Sequence, residues 1–180
     1  PSRSGGQIKS EPYRIKAGRL NKKIIDSIQS IDTNAKIISM GDFNDDPKDI
    51  SIKLTLNTSS KKNKLGKGQI YNPFEILHRK GYGSLKYRGN WNMLDQLLLT
   101  ESLVNNSSIS FIKAGIYNKK YLINPEGRYK GYPFKAFYNK WLGGYSDHFP
   151  VFLILGKKLT EDSFWFVILK NFSITNREII

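Results

Sequence analysis

One aspartate stands inside an otherwise apolar run. In Met93-Leu94-Asp95-Gln96-Leu97-Leu98-Leu99 the length and the leucines predict a buried strand over 93–100. A carboxylate is costly in such a place unless it is paired. A turn does not explain it, so any fold this chain adopts must bring a partner to Asp95. One candidate partner is a lysine or arginine, of which there are 29, forming a structural salt bridge. The other is a histidine, and the chain has two.

His148 lies in Ser146-Asp147-His148, directly before the apolar run 149–155. An imidazolium there suits contact with a phosphate. An acid on its other ring nitrogen would hold the tautomer and raise the pKa, and Asp95 is the candidate for that acid. A satisfied core histidine is the plain alternative for a lone residue, but two further acidic stations argue against it here. His78 sits beside Arg79 and Lys80 in a segment with helical character and reads as a surface residue.

The remaining station follows a helix and a strand. From Arg14 to Ile31 the residues Ala17, Leu20, Ile24, Ile28 and Ile31 recur at spacings of three and four, which predicts an amphipathic helix packed by that stripe. Residues 35–40 then read as a short buried strand, ending at Gly41 and the polar cluster Asp42-Phe43-Asn44-Asp45-Asp46-Pro47. In an extended chain Asp42 and Asn44 share a face. A carboxylate and an amide side by side suit metal-assisted hydrolysis, the acid orienting and deprotonating water and the amide donating to a phosphoryl oxygen. The competing reading is a simple turn after a strand. Polar groups at a strand's C-terminal end suit an α/β sandwich.

Further along, the pattern predicts a short helix over 49–56, an exposed basic loop over 57–69, a helix over 72–80 and a strand over 109–117. An irregular aromatic and glycine-rich loop follows at 124–144, and a buried strand at 149–155. Hydrophobic residues at 39% supply a core and exclude a wholly disordered chain. The net charge of +14 favours polyanionic partners: nucleic acid, a phosphorylated small molecule or an anionic membrane surface. The alternative is a lysine-rich surface that serves only solubility. With no cysteine, disulfides, zinc–thiolate sites and cysteine nucleophiles are excluded. The apolar run 164–169 is far shorter than the about 20 residues of a membrane span. It reads as an edge strand, a packed helix or sequence foreign to the domain.

GDFND at 41–45, the strand aspartate of NMLDQLLL at 92–99 and GYSDHFPVFLIL at 144–155, in this order, resemble the endonuclease/exonuclease/phosphatase superfamily. PSRSGG at the start, NPFEILHRKGYGSLKYRGNWNMLDQ at 72–96 and KGYPFKAF at 130–137 are similar to a bacterial branch of it. The resemblance implies a metal-dependent phosphoester hydrolase of the α/β (α+β) class. Its fold would be a four-layer α/β/β/α sandwich with mostly antiparallel sheets, each half of the chain contributing largely one sheet. It further implies that Asp42 activates the attacking water and that Asn44 donates to the scissile phosphate. Asp147 would lie beside the metal, and His148 would contact the phosphoryl oxygens with Asp95 orienting its ring. Mg2+ or Mn2+, with Asp42, Asn44 and Asp147 among its ligands, fits such an oxygen-rich set. Arg3 corresponds to a phosphate ligand. Relatives often carry tyrosine after the strand aspartate, where this chain has Gln96, which bears on the packing around His148.

The resemblance also implies an asparagine, a metal-ligating glutamate and an Asn or His station ahead of Pro1-Ser2-Arg3. Residues 1–156 are therefore expected to be the C-terminal part of a domain whose N-terminal half lies elsewhere, with 157–180 an unmatched tail. A bare apolar sheet face is expected, covered by that half or by another chain. The 180 residues alone are expected to bind Mg2+ weakly and to show little phosphodiesterase activity. The substrate is a phosphate ester: nucleic acid, a lipid headgroup or a small molecule. The loop 57–69, with Arg128, Lys130, Lys135 and Lys140 among aromatic residues, suits a nucleic-acid groove and equally an ordinary solvated basic face. The alternatives to a hydrolase are a non-catalytic nucleic-acid-binding platform and a remnant fragment.

Overall fold

The computed structural model describes residues 1–105, 109–157 and 166–171. Helix α1 (Gln7–Ile31) opens the chain. It is followed by β1 (Ile38–Asp42), a π-helical turn (Ser51–Thr55), β2 (Thr58–Ser59), β3 (Ile70–Tyr71) and α2 (Phe74–Arg79). The hairpin β4 (Leu85–Tyr87) and β5 (Asn90–Asn92) leads to β6 (Asp95–Leu99) and β7 (Ile109–Ile116). A small hairpin, β8 (Phe137–Tyr138) and β9 (Lys140–Trp141), precedes β10 (Val151–Lys157) and β11 (Phe166–Asn171).

Two sheets result. The first has the order β1-β6-β3-β2, with β6 antiparallel to both its neighbours and β2 parallel to β3. The second is the antiparallel β11-β10-β7. Alternation along β6 sets the layers, because successive side chains of a strand point to opposite faces. Leu97 and Leu99 join Phe74, Phe111, Val151 and Leu153 in the core between the sheets. Leu98 joins Ile25, Ile52, Leu56 and Ile70 in the core beneath α1 and the π-helical turn. Each of these fully buried leucines contributes about 1.5–3 kcal/mol of burial. The fold is α/β with mostly antiparallel sheets, as expected.

Three expectations change. This chain supplies strands to both sheets, and the first sheet is covered on both faces. The helix stripe expected to pack is itself exposed, at Leu20, Ile24, Ile28 and Ile31, as are Met40 on the edge strand β1 and Ile109 and Ile112 on β7. The buried face of α1 is the neighbouring one, Ser10, Arg14, Gly18 and Ile25. The reason is a close approach and a charge. A Cβ on Gly18 would lie 2.8 Å from the Ser51 carbonyl oxygen, and Arg14 is held by a buried acid. Finally, the loop 57–69 is not wholly exposed, since Thr58 and Ser59 are buried in β2.

Of the apolar run 164–169 in the tail, residues 166–169 belong to an edge strand, and 164 and 165 lie outside the described residues. β11 pairs with β10 from Val151↔Asn171 to Gly156↔Phe166.

Candidate active site

The pairing of β1 with β6 sets Asp42 directly opposite Asp95. Cross-strand partners point to the same face, so the two carboxylates share one end of the sheet. β1 stops at Asp42, and Asn44 takes a left-handed conformation at φ 54°, which asparagine tolerates better than most residues. The turn lets the Asp42 carboxylate accept the Asn44 backbone N–H at 2.8 Å and its side-chain amide at 3.2 Å. Asp42 and Asn44 therefore meet through a turn and not through strand alternation. The simple-turn reading is correct as geometry, and what lies opposite gives the turn its interest.

Asp95 receives the partner its burial demands. His148 Nδ1 stands 2.6 Å from Asp95 Oδ2, with the Asp95 side chain 2% and the His148 side chain 11% exposed. Ser84 fixes both residues: its hydroxyl accepts the Asp95 N–H at 3.1 Å, and its carbonyl accepts the Phe149 N–H at 2.8 Å. His148 also bridges Leu85 of β4, and its own N–H donates to the Ser146 hydroxyl at 3.1 Å. With Nδ1 engaged, Nε2 is the nitrogen left for a ligand.

Electrostatics follow from this placement. Burial alone would depress the His148 pKa, but the Asp95 hydrogen bond and charge, aided by Asp42 and Asp147, raise it above its ordinary value. Asp42 is raised too. Loss of hydration in the cleft is the main cause, the Asp95 charge adds to it, and the Asn44 N–H and His148 oppose it. A carboxylate raised in this way is a stronger base than a free one. Asp147 is half-buried next to His148 and faces a neighbouring cavity.

The loop 43–49 that carries Asn44 is anchored by contacts that local sequence conceals. Arg14 and Asp45, both 1% exposed, form an ion pair at 2.7 Å. Asp45 also accepts from the Ser51 hydroxyl at 2.6 Å, and Asp46 accepts the Met93 N–H at 2.6 Å. Gln96 points away from Asp95 and His148. Its amide donates to the carbonyls of Asp45 and Met93 at 2.8 and 2.9 Å and accepts from Asn72 at 2.7 Å. Its packing thus concerns the loop and not the histidine. The signal for this network was the acidic pair Asp45-Asp46, which reads locally as a solvated turn.

Arg3 belongs to the same network. Its Nε donates to the Asn44 carbonyl at 2.6 Å, and its guanidinium lies 3.6–3.9 Å from Asp45, Asp46 and Asp49. Its bond to the Asn44 carbonyl positions the loop. His78 is partly buried, with Nε2 3.6 Å from Asp46 Oδ1, and is not a free surface residue. The basic loop 57–69 lies away from the site, for β3 meets β6 at Leu99, the opposite end from Asp95. Of the other basic residues, Arg128 and Lys135 line the cavity beside Asp147, whereas Lys130 and Lys140 are exposed outside its lining.

Among the described residues no group of three or more histidine, aspartate and glutamate side chains could hold a metal ion. Asp42, Asn44 and Asp147 offer oxygens of the right kind, but they do not make a metal cage by themselves. No helix among the described residues is long and apolar enough to cross a membrane.

Residues 1–157 match the model of the Endonuclease/Exonuclease/phosphatase family. No curated protein and no solved structure matches the chain.

Proposed function

The chain belongs to the endonuclease/exonuclease/phosphatase family, and on that premise we propose that Asp42, Asn44, Asp95, Asp147 and His148 form the water-activating and phosphate-facing side of a phosphoester hydrolase centre. Hydrolysis of a phosphoester is the family's general chemistry, and the family is generally divalent-metal dependent. Among the described residues no group of three or more acidic or histidine side chains is placed to hold an ion by itself.

In this reading Asp42 accepts a proton from the water that attacks phosphorus. Its raised pKa suits that task. Asn44 has one amide hydrogen directed at Asp42 and a second free to donate to a phosphoryl oxygen. His148 carries its positive charge toward the same oxygens through Nε2 and offsets the negative charge that grows as the bond to the leaving group breaks. Asp95 holds the ring and favours the imidazolium, as carboxylates do for histidines that act on substrates. Asp147 adds negative potential beside His148.

The observation that carries the reading is the 2.6 Å contact between His148 and the buried Asp95, with Asp42 in register across the strand pair. The protein as its gene encodes it, supplied with Mg2+ or Mn2+, should hydrolyse bis-p-nitrophenyl phosphate. His148→Ala and Asp42→Asn should each lower kcat by about 10²–10⁴-fold. Turnover by both variants at the unaltered rate would refute the assignment, and no turnover by the unaltered protein would leave a non-catalytic platform.

A further inference from the structure

A cavity of about 870 Å³ adjoins the proposed centre, between β4 and the connection from β7 to β10. Asp147 lines it, as does Leu85, the residue that bridges His148. A phosphate held at His148 would therefore have one of its two ester substituents beside this opening. The volume lies in the range of sites that enclose a small organic ligand, about 300–1,000 Å³.

Its lining has an unusual composition. Lys86 and Arg88 from the β4 side meet Arg128, Tyr129 and Tyr132 from the opposite wall. The three cations face aromatic rings: Lys86 Nζ is 4.8 Å from the Tyr132 ring centre, Arg88 is 5.3 Å from that of Tyr87, and Arg128 is 5.7 Å from that of Tyr129. None of the three pairs with an acid among the described residues. The walls are tied together by the Gly89 N–H, which donates to the Tyr132 hydroxyl at 2.9 Å, so the cavity is formed before any ligand arrives. Exposed rings continue outside it on Phe137, Trp141 and Tyr145. Large apolar faces left in water beside uncompensated cations are what a stacking surface for a polyanion requires.

The chemistry narrows the ligand. An acyl chain would gain nothing from three cations, and a small phosphate monoester would not use the rings. An unstacked nucleobase with its flanking phosphates uses both. A duplex keeps its bases stacked inside and presents no base to such a cavity.

We propose that this cavity is the nucleotide subsite for a single-stranded nucleic acid. A splayed base lies against Tyr129 and Tyr132, while Lys86, Arg88 and Arg128 take the phosphates next to the one at His148. Its placement along the substrate rests on the hydrolase reading, but binding itself does not.

The test is fluorescence anisotropy of a fluorescein-labelled oligothymidylate in EDTA, so that nothing is cleaved. Tyr129→Leu and Tyr132→Leu should each weaken binding by about tenfold, the loss typical of one stacked base. Tyr132→Phe, which keeps the ring and removes only the tie to Gly89, should lose clearly less affinity than Tyr132→Leu. An abasic strand of equal length should bind more weakly than the thymidylate, and a duplex should compete poorly. Equal affinity for abasic and base-bearing strands overturns the proposal, as do leucine variants that bind normally or a duplex that competes as well as the single strand. Tyr129 is 40% exposed, so its substitution does not threaten the fold. Failure of the hydrolase reading appears separately, as unchanged turnover of bis-p-nitrophenyl phosphate by His148→Ala, and leaves the EDTA measurement readable.

Discussion

Asp42 and Asp95 occupy directly opposed positions across the β1–β6 pair, two carboxylates on one face of one sheet. Like charges placed so repel each other, and a fold built only for stability would not keep them there unaided. His148 supplies the compensating charge at 2.6 Å from Asp95. The same charge faces the cleft in which Asp42 loses hydration, so neutralisation and phosphate recognition fall to one side chain.

In metal-free protein the His148 imidazole should titrate above 6.5, as followed by NMR of the ring protons. A raised folded-state pKa on a base means that the contribution to stability is fully present below pH 6.5 and is lost as pH rises through the folded value. His148→Gln should flatten that part of the stability curve, and Asp95→Asn should move the titration downward. A His148 pKa at or below the ordinary value would contradict the assigned Asp95 contact.

Arg14→Met should destabilise the protein by about 3–5 kcal/mol, because it strands the buried Asp45 carboxylate without its partner. Combining it with Asp45→Asn should recover part of that loss, since an amide costs less to bury unpaired and its oxygen can still accept from Ser51. Urea unfolding of the three proteins measures both effects. A single variant within about 0.5 kcal/mol of the unaltered protein would show that the pair is not closed in solution.

Gly18→Ala sets two effects against each other. Alanine in a helix interior is favoured over glycine by about 1 kcal/mol. Here the added methyl would sit 2.8 Å from the Ser51 carbonyl oxygen and 3.2 Å from a Thr55 methyl, and the first of these is backbone that cannot swing away. Overpacking of this kind costs about 1–3 kcal/mol, so a lower Tm is expected. An increase in Tm would mean that α1 does not pack this closely on the π-helical turn.

The exposed row Leu20, Ile24 and Ile28 on α1 should promote self-association of the chain. Ile24→Lys combined with Ile28→Lys should shift its sedimentation toward monomer without lowering Tm, because neither side chain is buried. A loss of several degrees in Tm would place these residues in a core.

The sequence by itself determined the order of α1, β1, α2, β6, β7 and β10, without the short strands between them, and singled out Asp42, Asn44, Asp95, Asp147 and His148. It could do so because apolar periodicity and the cost of burying a lone carboxylate are local matters, written into a few consecutive residues. Asp95 announced that it needed a partner. Only the tertiary structure chose His148 over a lysine or arginine, since that choice depends on which strand end arrives 53 residues later. It also set Asp42 against Asp95 by strand register and sent the basic loop 57–69 to the far end of the sheet. Tertiary packing turned α1 so that Gly18 and Arg14, not the leucine and isoleucine stripe, meet the core. Periodicity tells which residues share a face of a helix, but the neighbour that packs there decides which face is covered.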